Sequence, residues 1–326
     1  MTQKFEFSPV PGFFQDYSDL APPRTHVKTQ PDLGIIPRSY NEQGNGLAGA
    51  TYQSQWTRLA NHIKYLNERH NPDGEYYKLV YLIRHGTSVH NVKMAELKLA
   101  GRSSEWNDYW GYEKGDGERE WFDAELVGKG IAQAEELAKL WDQSDKKALP
   151  LPETVYTSPL ARCLETTKLI FKNILGKGIR PVVKEGLRER LTGRPCDARH
   201  PPSWIKERYP DFEIEQGFPE ANENWKDRSS ESIEDHEVRV RALFEDIFTN
   251  DKSTIISFTT HSYAISSILA VINHTDFWLE ECGVAPLFVK AVKSKPTKAA
   301  RAEQTNTKPR GSIKRRDSGD RRCALI

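Results

Sequence analysis

The segment that most constrains this chain runs Leu79-Val-Tyr-Leu-Ile-Arg-His-Gly86. An unbroken apolar run reads directly into an Arg-His-Gly turn, and Asn91 follows six residues after the histidine. A strand with no polar alternation belongs in a sheet covered on both faces. Its open end carries an imidazole beside a fixed positive charge, an arrangement that suits a nucleophile directed at phosphorus.

The pattern around this strand alternates. Residues 53–69 place Trp56, Leu59, Ala60, Ile63 and Leu66 at helical spacing, and residues 129–142 do the same with Ile131, Ala134, Leu137, Ala138 and Trp141. A short strand at 154–157 leads through Ser158-Pro159 into a helix over about 160–173, with the proline in the first turn. Residues 179–184 read as an edge strand. Residues 231–249 form a helix with Ile233, Val240, Leu243, Phe244 and Ile247 inward. The strand 254–258 precedes Thr259-Thr260-His261 and a helix over about 262–272, and a last strand spans 285–292. Strand–helix alternation predicts an α/β fold, a mostly parallel sheet flanked by helices on both faces. In such sheets ligands bind beyond the carboxyl ends of the strands. Residues 1–52, rich in Pro, Gly, Asn and Gln, read as an irregular arm packed on the body by its aromatics. Residues 53–292 form the body, and 293–326 a basic disordered tail.

Composition narrows the class. The 326 residues are 37% hydrophobic, with 8 Trp, 12 Tyr and 13 Phe, enough for a sizeable core. The four cysteines, at 163, 196, 282 and 323, have no paired spacing and fit a reducing compartment. With no apolar leader and no stretch of membrane-spanning length, a soluble cytoplasmic protein is expected. The net charge of +1 conceals an asymmetry: residues 291–326 hold 11 Lys/Arg against 3 Asp/Glu, so the tail is strongly basic and the body mildly acidic.

Four segments place polar residues just past strand ends: Arg84-His85-Gly86 with Asn91, Ser158 to Thr167 with Arg162, Leu187-Arg188-Glu189, and Thr260-His261-Ser262. In this order they resemble the histidine phosphatase superfamily, the phosphoglycerate mutase-like enzymes, over about residues 77–290. Val10-Pro-Gly-Phe-Phe14, His90-Asn91, Trp106 to Trp110, Asp123-Ala124, Gly130 to Ala134 and Pro195 to Arg199 are similar to its phosphomutase-like branch in fungi and plants. That resemblance makes the arm part of the family architecture.

The residue types support the same chemistry. A phosphate monoester dianion repels anionic nucleophiles, whereas a neutral imidazole attacks without that cost and forms a phosphoramidate that water can cleave. His85 is the candidate. Arg84, Arg162 and His261 would neutralise the charge that gathers on the transferring phosphoryl group, and Asn91 would add a neutral donor. The resemblance assigns Glu189 as general acid, a role that requires a raised carboxyl pKa. Asp197 is a rival acid, and Glu189 has an alternative as an ion-pair partner of Arg188 or Arg190. The aromatic group Trp106, Tyr109, Trp110, Tyr112, Trp121 and Phe122 reads as core or lid packing. Arg190, Arg194 and Arg199 read either as a grip on a second acidic group or as a solvated face. No metal and no cofactor is called for, apart from a bisphosphorylated primer if the enzyme is a mutase. The expected partner is a small phosphorylated substrate. A phosphatase is favoured over a phosphomutase because water is the default acceptor at an open site. A non-catalytic interaction protein on the same fold is the contrasting class.

The chain ends Cys323-Ala-Leu-Ile326 behind the basic stretch. A cysteine followed by two aliphatics and a final residue is the prenylation pattern, and a polybasic segment supplies the second signal for peripheral membrane contact. Nucleic acid is a weaker partner, because no aromatics interleave the charges. The bland alternative is a basic tail that ends in an apolar tetrapeptide. The intact mass of the full chain from a eukaryotic host is expected to show a prenyl adduct on Cys323. An unmodified C-terminus through Ile326 would contradict it.

Overall fold

In the computed structural model, which describes residues 4–40, 53–142, 148–175, 178–222 and 225–294, the apolar run becomes a central strand. The strands are β1 (Phe5–Pro9), β2 (His26–Val27), β3 (Glu75–Arg84), β4 (Thr154–Thr157), β5 (Val182–Val183), β6 (Glu213–Ile214), β7 (Ile255–Thr260), β8 (Trp278–Leu279) and β9 (Val284–Lys293). Seven of them form one sheet in the order β1-β9-β3-β7-β4-β5-β6. Strands β3, β7, β4, β5 and β6 are parallel. Strands β9 and β1 add an antiparallel edge. The sheet is therefore mostly parallel, as the alternation predicted.

The helices are α1 (Gln55–His70), α2 (Val89–Leu99), α3 (Ser104–Asp108), α4 (Gly128–Asp142), α5 (Ala161–Leu175), α6 (Pro202–Arg208), α7 (Ile233–Asn250) and α8 (Ser262–Val271). Successive β3 side chains point to opposite faces. Val80 and Leu82 enter a core built with Leu243 and Phe244 of α7 and Ile265 and Ile268 of α8. Leu79, Tyr81 and Ile83 enter a second core with Trp56, Leu59 and Ile63 of α1, Trp141 of α4 and Phe171 of α5. Both faces are thus dry, which is why this strand carries no polar alternation. Ser54 and Ser232 start α1 and α7 by accepting the amides of Thr57 and Asp235, at 3.1 and 3.0 Å.

Three expectations change. The N-terminal arm is not wholly irregular: Phe5–Pro9 is strand β1 and satisfies the outer backbone edge of β9. Phe5 and Phe7 alternate inward, with the Phe7 ring centroid 5.5 Å from that of Phe244. Residues 179–184 do not form an edge strand: only Val182–Val183 pairs, and it lies between β4 and β6. Ile131 and Ile233, expected inward, are exposed. The inward line of α4 runs through Gly130, Ala134, Ala138 and Trp141, one position off Ile131, and Ile233 sits in the first turn of α7 ahead of its core contacts.

The described residues up to Lys293 belong to one unit, and the basic tail to another. Cys323 lies outside the described residues. No described helix is long and apolar enough to cross a membrane. A cavity of about 220 Å³ lies beneath the arm, lined by Pro9, Val10, Phe14, Asn273 and Phe288 among others, and none of the candidate site residues lines it. Because Phe7 is a core residue contributed by the arm, Phe7→Ala is expected to cost roughly 3–5 kcal/mol of unfolding free energy in urea denaturation. A loss near zero would show that the arm only lies against the body.

Candidate active site

The site forms where the parallel strands end. The amide of His85, just past β3, donates to the Thr260 carbonyl at 3.0 Å, and the amide of Ser158, just past β4, donates to the Thr259 carbonyl at 3.0 Å. The Thr260 hydroxyl reaches the Leu187 carbonyl at 2.6 Å, which ties in the segment after β5. All four polar segments read from the sequence therefore meet on one rim. Gly86 is required by close approach: a Cβ there would lie 2.6 Å from the Gly130 carbonyl oxygen, and one on Gly130 would lie 2.1 Å from that of Thr87.

His85 is buried and its tautomer is fixed. The Arg162 Nε–H can only donate, and it lies 3.3 Å from His85 Nε2. The lone pair is therefore on Nε2, and Nδ1 carries the proton, which it donates to the Gly86 carbonyl at 2.8 Å. Burial, then the charges of Arg162 and Arg84, hold this imidazole well below the ordinary histidine range. His85 is thus a neutral base with Nε2 facing a guanidinium.

Arg162 is buried at the start of α5. Its Nη1 donates to the Cys196 carbonyl at 2.7 Å, and Nη2 lies 3.6 Å from Asp197 Oδ1. Arg84 is held by the Leu279 carbonyl at 2.8 Å and by Glu281 at 3.2 Å, and its Nε has no acceptor among the described residues. His261 precedes α8 with its ring centroid 5.0 Å from that of His85, and its Nε2 lies 2.8 Å from the Ser158 hydroxyl. Burial, then Arg162, keeps His261 deprotonated too.

Glu189 follows β5, and only part of its surface reaches solvent. Its carboxyl accepts the amides of Arg190 at 2.9 Å, Ala264 at 3.0 Å and Tyr263 at 3.3 Å. Burial, reinforced by the nearby Asp197, outweighs these bonds and pushes the carboxyl up to about 7. Asp197, the rival acid, is committed elsewhere: it receives the Thr192 hydroxyl and flanks Arg162. Arg188 pairs with Glu185 at 2.8 Å rather than with Glu189.

Asn91, expected as a neutral phosphate donor near the nucleophile, is engaged with its neighbours. Its Nδ2 faces His90 Nε2 at 3.1 Å, His90 Nδ1 faces the Ser88 hydroxyl at 2.8 Å, and that hydroxyl donates to Asn91 Oδ1 at 2.7 Å. This closed ring of three bonds starts α2 and orients His90, whose ring centroid is 6.2 Å from that of His85. His90 entered the sequence reading only as part of a paired motif, since a buried imidazole next to Asn has no periodic signature. Asp123 likewise carried no role beyond its place in the Asp123-Ala124 pair. It is fully buried, accepts the Ala161 amide at 2.8 Å, and takes the His200 ring at 2.6 Å, so it anchors the turn from which Arg162 projects. Trp106 and Trp121 pack in a small core with Leu97 and Cys196, as their packing role predicted, whereas Tyr109 is exposed. Arg199 is buried between Glu185 and the carbonyls of His200, Pro219 and Ala221, which leaves it no role in gripping a substrate.

Residues 80–283 match the family described as the histidine phosphatase superfamily (branch 1). The chain belongs to that superfamily. Relatives of this histidine phosphatase superfamily member include a probable phosphoglycerate mutase of Arthroderma benhamiae, 36% identical over 87% of this chain and 84% of the relative. Phosphomutase-like protein 3 of Candida albicans is 34% identical over 65% of each chain. Phosphoglycerate mutase-like protein 1 of Arabidopsis thaliana is 28% identical over 63% of this chain and 77% of the relative. The resemblance to a branch in fungi and plants therefore holds.

Proposed function

We propose that the protein is a phosphatase of small phosphate monoesters that works through a phosphohistidine on His85. The observation that carries this reading is the His85 Nε2 lone pair held neutral against Arg162 at 3.3 Å, with a carboxyl of pKa about 7 on the same rim. In the first step Nε2 attacks phosphorus and forms the N–P bond while the ester O–P bond breaks. The leaving oxygen takes the Glu189 proton. Arg162 and the free Nε of Arg84 balance the charge on the phosphoryl oxygens. A bound dianion would raise the His261 pKa and favour its protonated form, adding a third cation. In the second step Glu189, now a carboxylate, takes a proton from water as that water attacks phosphorus. The N–P bond breaks, and inorganic phosphate and neutral His85 result.

Glu189 as a residue is only partly covered, so the rim it stands on is open, and water is the default acceptor at an open rim. The names of the relatives support a second reading, a phosphomutase that returns the phosphate to another hydroxyl of the substrate. A non-catalytic role is disfavoured by a site in which His85, Arg84, Arg162, Glu189 and His261 are all present.

Glu189 must be protonated to donate. Its proton is lost as pH rises through about 7, so kcat/KM toward phenyl phosphate is expected to fall above that pH. Glu189→Gln should remove this alkaline limb and lower kcat by about 10²–10⁴-fold. His85→Ala should abolish turnover. Full activity in His85→Ala, or an unchanged limb in Glu189→Gln, would overturn the assignment.

A further inference from the structure

The carboxyl of Glu189 is placed by two amides of α8, but its backbone is placed by a different residue. The segment 185–189 makes one short turn, Glu185–Leu187, and then runs extended. So short a turn leaves its later carbonyls without partners of their own. The Leu187 carbonyl goes to the Thr260 hydroxyl and that of Glu185 also takes the Arg188 amide, but four carbonyls of the segment converge on one guanidinium. Arg239, on α7, donates from Nη1 to the carbonyls of Arg188 at 3.0 Å, Glu185 at 3.2 Å and Gly186 at 3.3 Å. Its Nη2 donates to the carbonyl of Glu189 itself at 3.2 Å.

The guanidinium is fixed in turn. Glu231 takes it in a two-pronged pair, Nε to Oε1 at 2.9 Å and Nη2 to Oε2 at 2.8 Å. Glu231 also grips the far side of the same loop: its Oε2 accepts the Leu191 amide at 3.1 Å, and its own amide donates to the Leu191 carbonyl at 2.7 Å. Arg239 and Glu231 together therefore bracket residues 185–191, with Glu189 inside the bracket. Both side chains are largely buried, 18% and 12% exposed, so water is a poor substitute for either. A lysine could not reproduce the arrangement, because it lacks the planar fork that serves Glu231 and the carbonyls at once.

We infer that Arg239, locked by Glu231, is the positioning residue that sets Glu189 for proton transfer to the leaving group. Arg239 touches no reacting atom. Its effect passes through the peptide that carries the general acid, where a shift of about 1 Å costs on the order of 10²-fold in rate. The inference rests on Glu189 as general acid, and its test separates the two claims.

The test compares phenyl phosphate, whose leaving oxygen needs a proton, with p-nitrophenyl phosphate, whose leaving group departs as a stable anion. Arg239→Met and Glu231→Gln are measured alone and combined with Glu189→Gln. All comparisons are of kcat/KM, which stops at formation of the phosphohistidine and so excludes the hydrolysis step both substrates share. Arg239→Met is expected to lower kcat/KM on phenyl phosphate by about 10- to 100-fold, while that on p-nitrophenyl phosphate changes by no more than about threefold. In the Glu189→Gln background it should add almost nothing, because the group it positions can no longer donate. Arg239→Lys should recover only part of the loss. Should Arg239→Met not fold, Arg239→Lys and Glu231→Gln, which keep a cation in place, must show the same leaving-group selectivity. Equal losses on both substrates, or full additivity with Glu189→Gln, would overturn the positioning role while leaving the general acid intact. If Glu189→Gln itself lowers kcat/KM on both substrates equally, the general-acid reading fails, and the role of Arg239 fails with it.

Discussion

The site depends on one contact, the buried guanidinium of Arg162 facing the imidazole of His85 at 3.3 Å. Two cations cannot share that spacing in a dry pocket, so the imidazole is neutral and its lone pair is on the nitrogen turned toward the arginine. Every neighbouring feature holds this geometry. The Gly86 carbonyl takes the other ring proton, the Cys196 carbonyl and Asp197 fix the guanidinium, and Asp123 ties down the first amide of α5. The close approach of Gly86 and Gly130 brings the turn carrying His85 against α4.

The same burial has opposite effects on bases and acids, and both effects lead to neutral groups. It lowers His85, His90 and His261 well below the usual histidine range, and it raises Glu189 to about 7. Phosphoryl transfer to an imidazole needs this combination, a nucleophile without its proton and an acid that still holds one. The fixed charge of the pocket then falls to the arginines, which do not lose their protons near neutral pH.

Much of this is legible in the sequence because it follows local rules. The run 79–83 announced a strand dry on both faces, and Pro159 announced the helix that presents Arg162, although it lies two residues before that helix starts at Ala161 rather than in its first turn. The segments holding His85, Arg162 and His261 follow strands that the pattern announced, whereas Glu189 was picked out by the family resemblance, since the strand before it is only Val182–Val183. What could not be read was set by the partner each group finds once the chain is folded. Phe5–Pro9 is a strand only because β9, far away in sequence, offers an unpaired edge. Asn91 was read as a neutral donor near the nucleophile, and its carboxamide also closes a ring with Ser88 and His90 that the sequence did not announce. Arg199 read as either a grip on a second acidic group or a solvated face, yet it is buried against Glu185 and three carbonyls. A charged residue's sequence position does not reveal whether its partners are solvent, substrate or backbone.

The most direct measurement is rapid acid-free quenching of the full-length protein during turnover of a ³²P-labelled phosphate monoester, followed by peptide mapping. A phosphoramidate on His85, acid-labile, stable in base and absent from His85→Ala, is the predicted result. Turnover with no label on the protein, or label on another residue that survives in His85→Ala, would contradict the central role of the imidazole that Arg162 holds neutral.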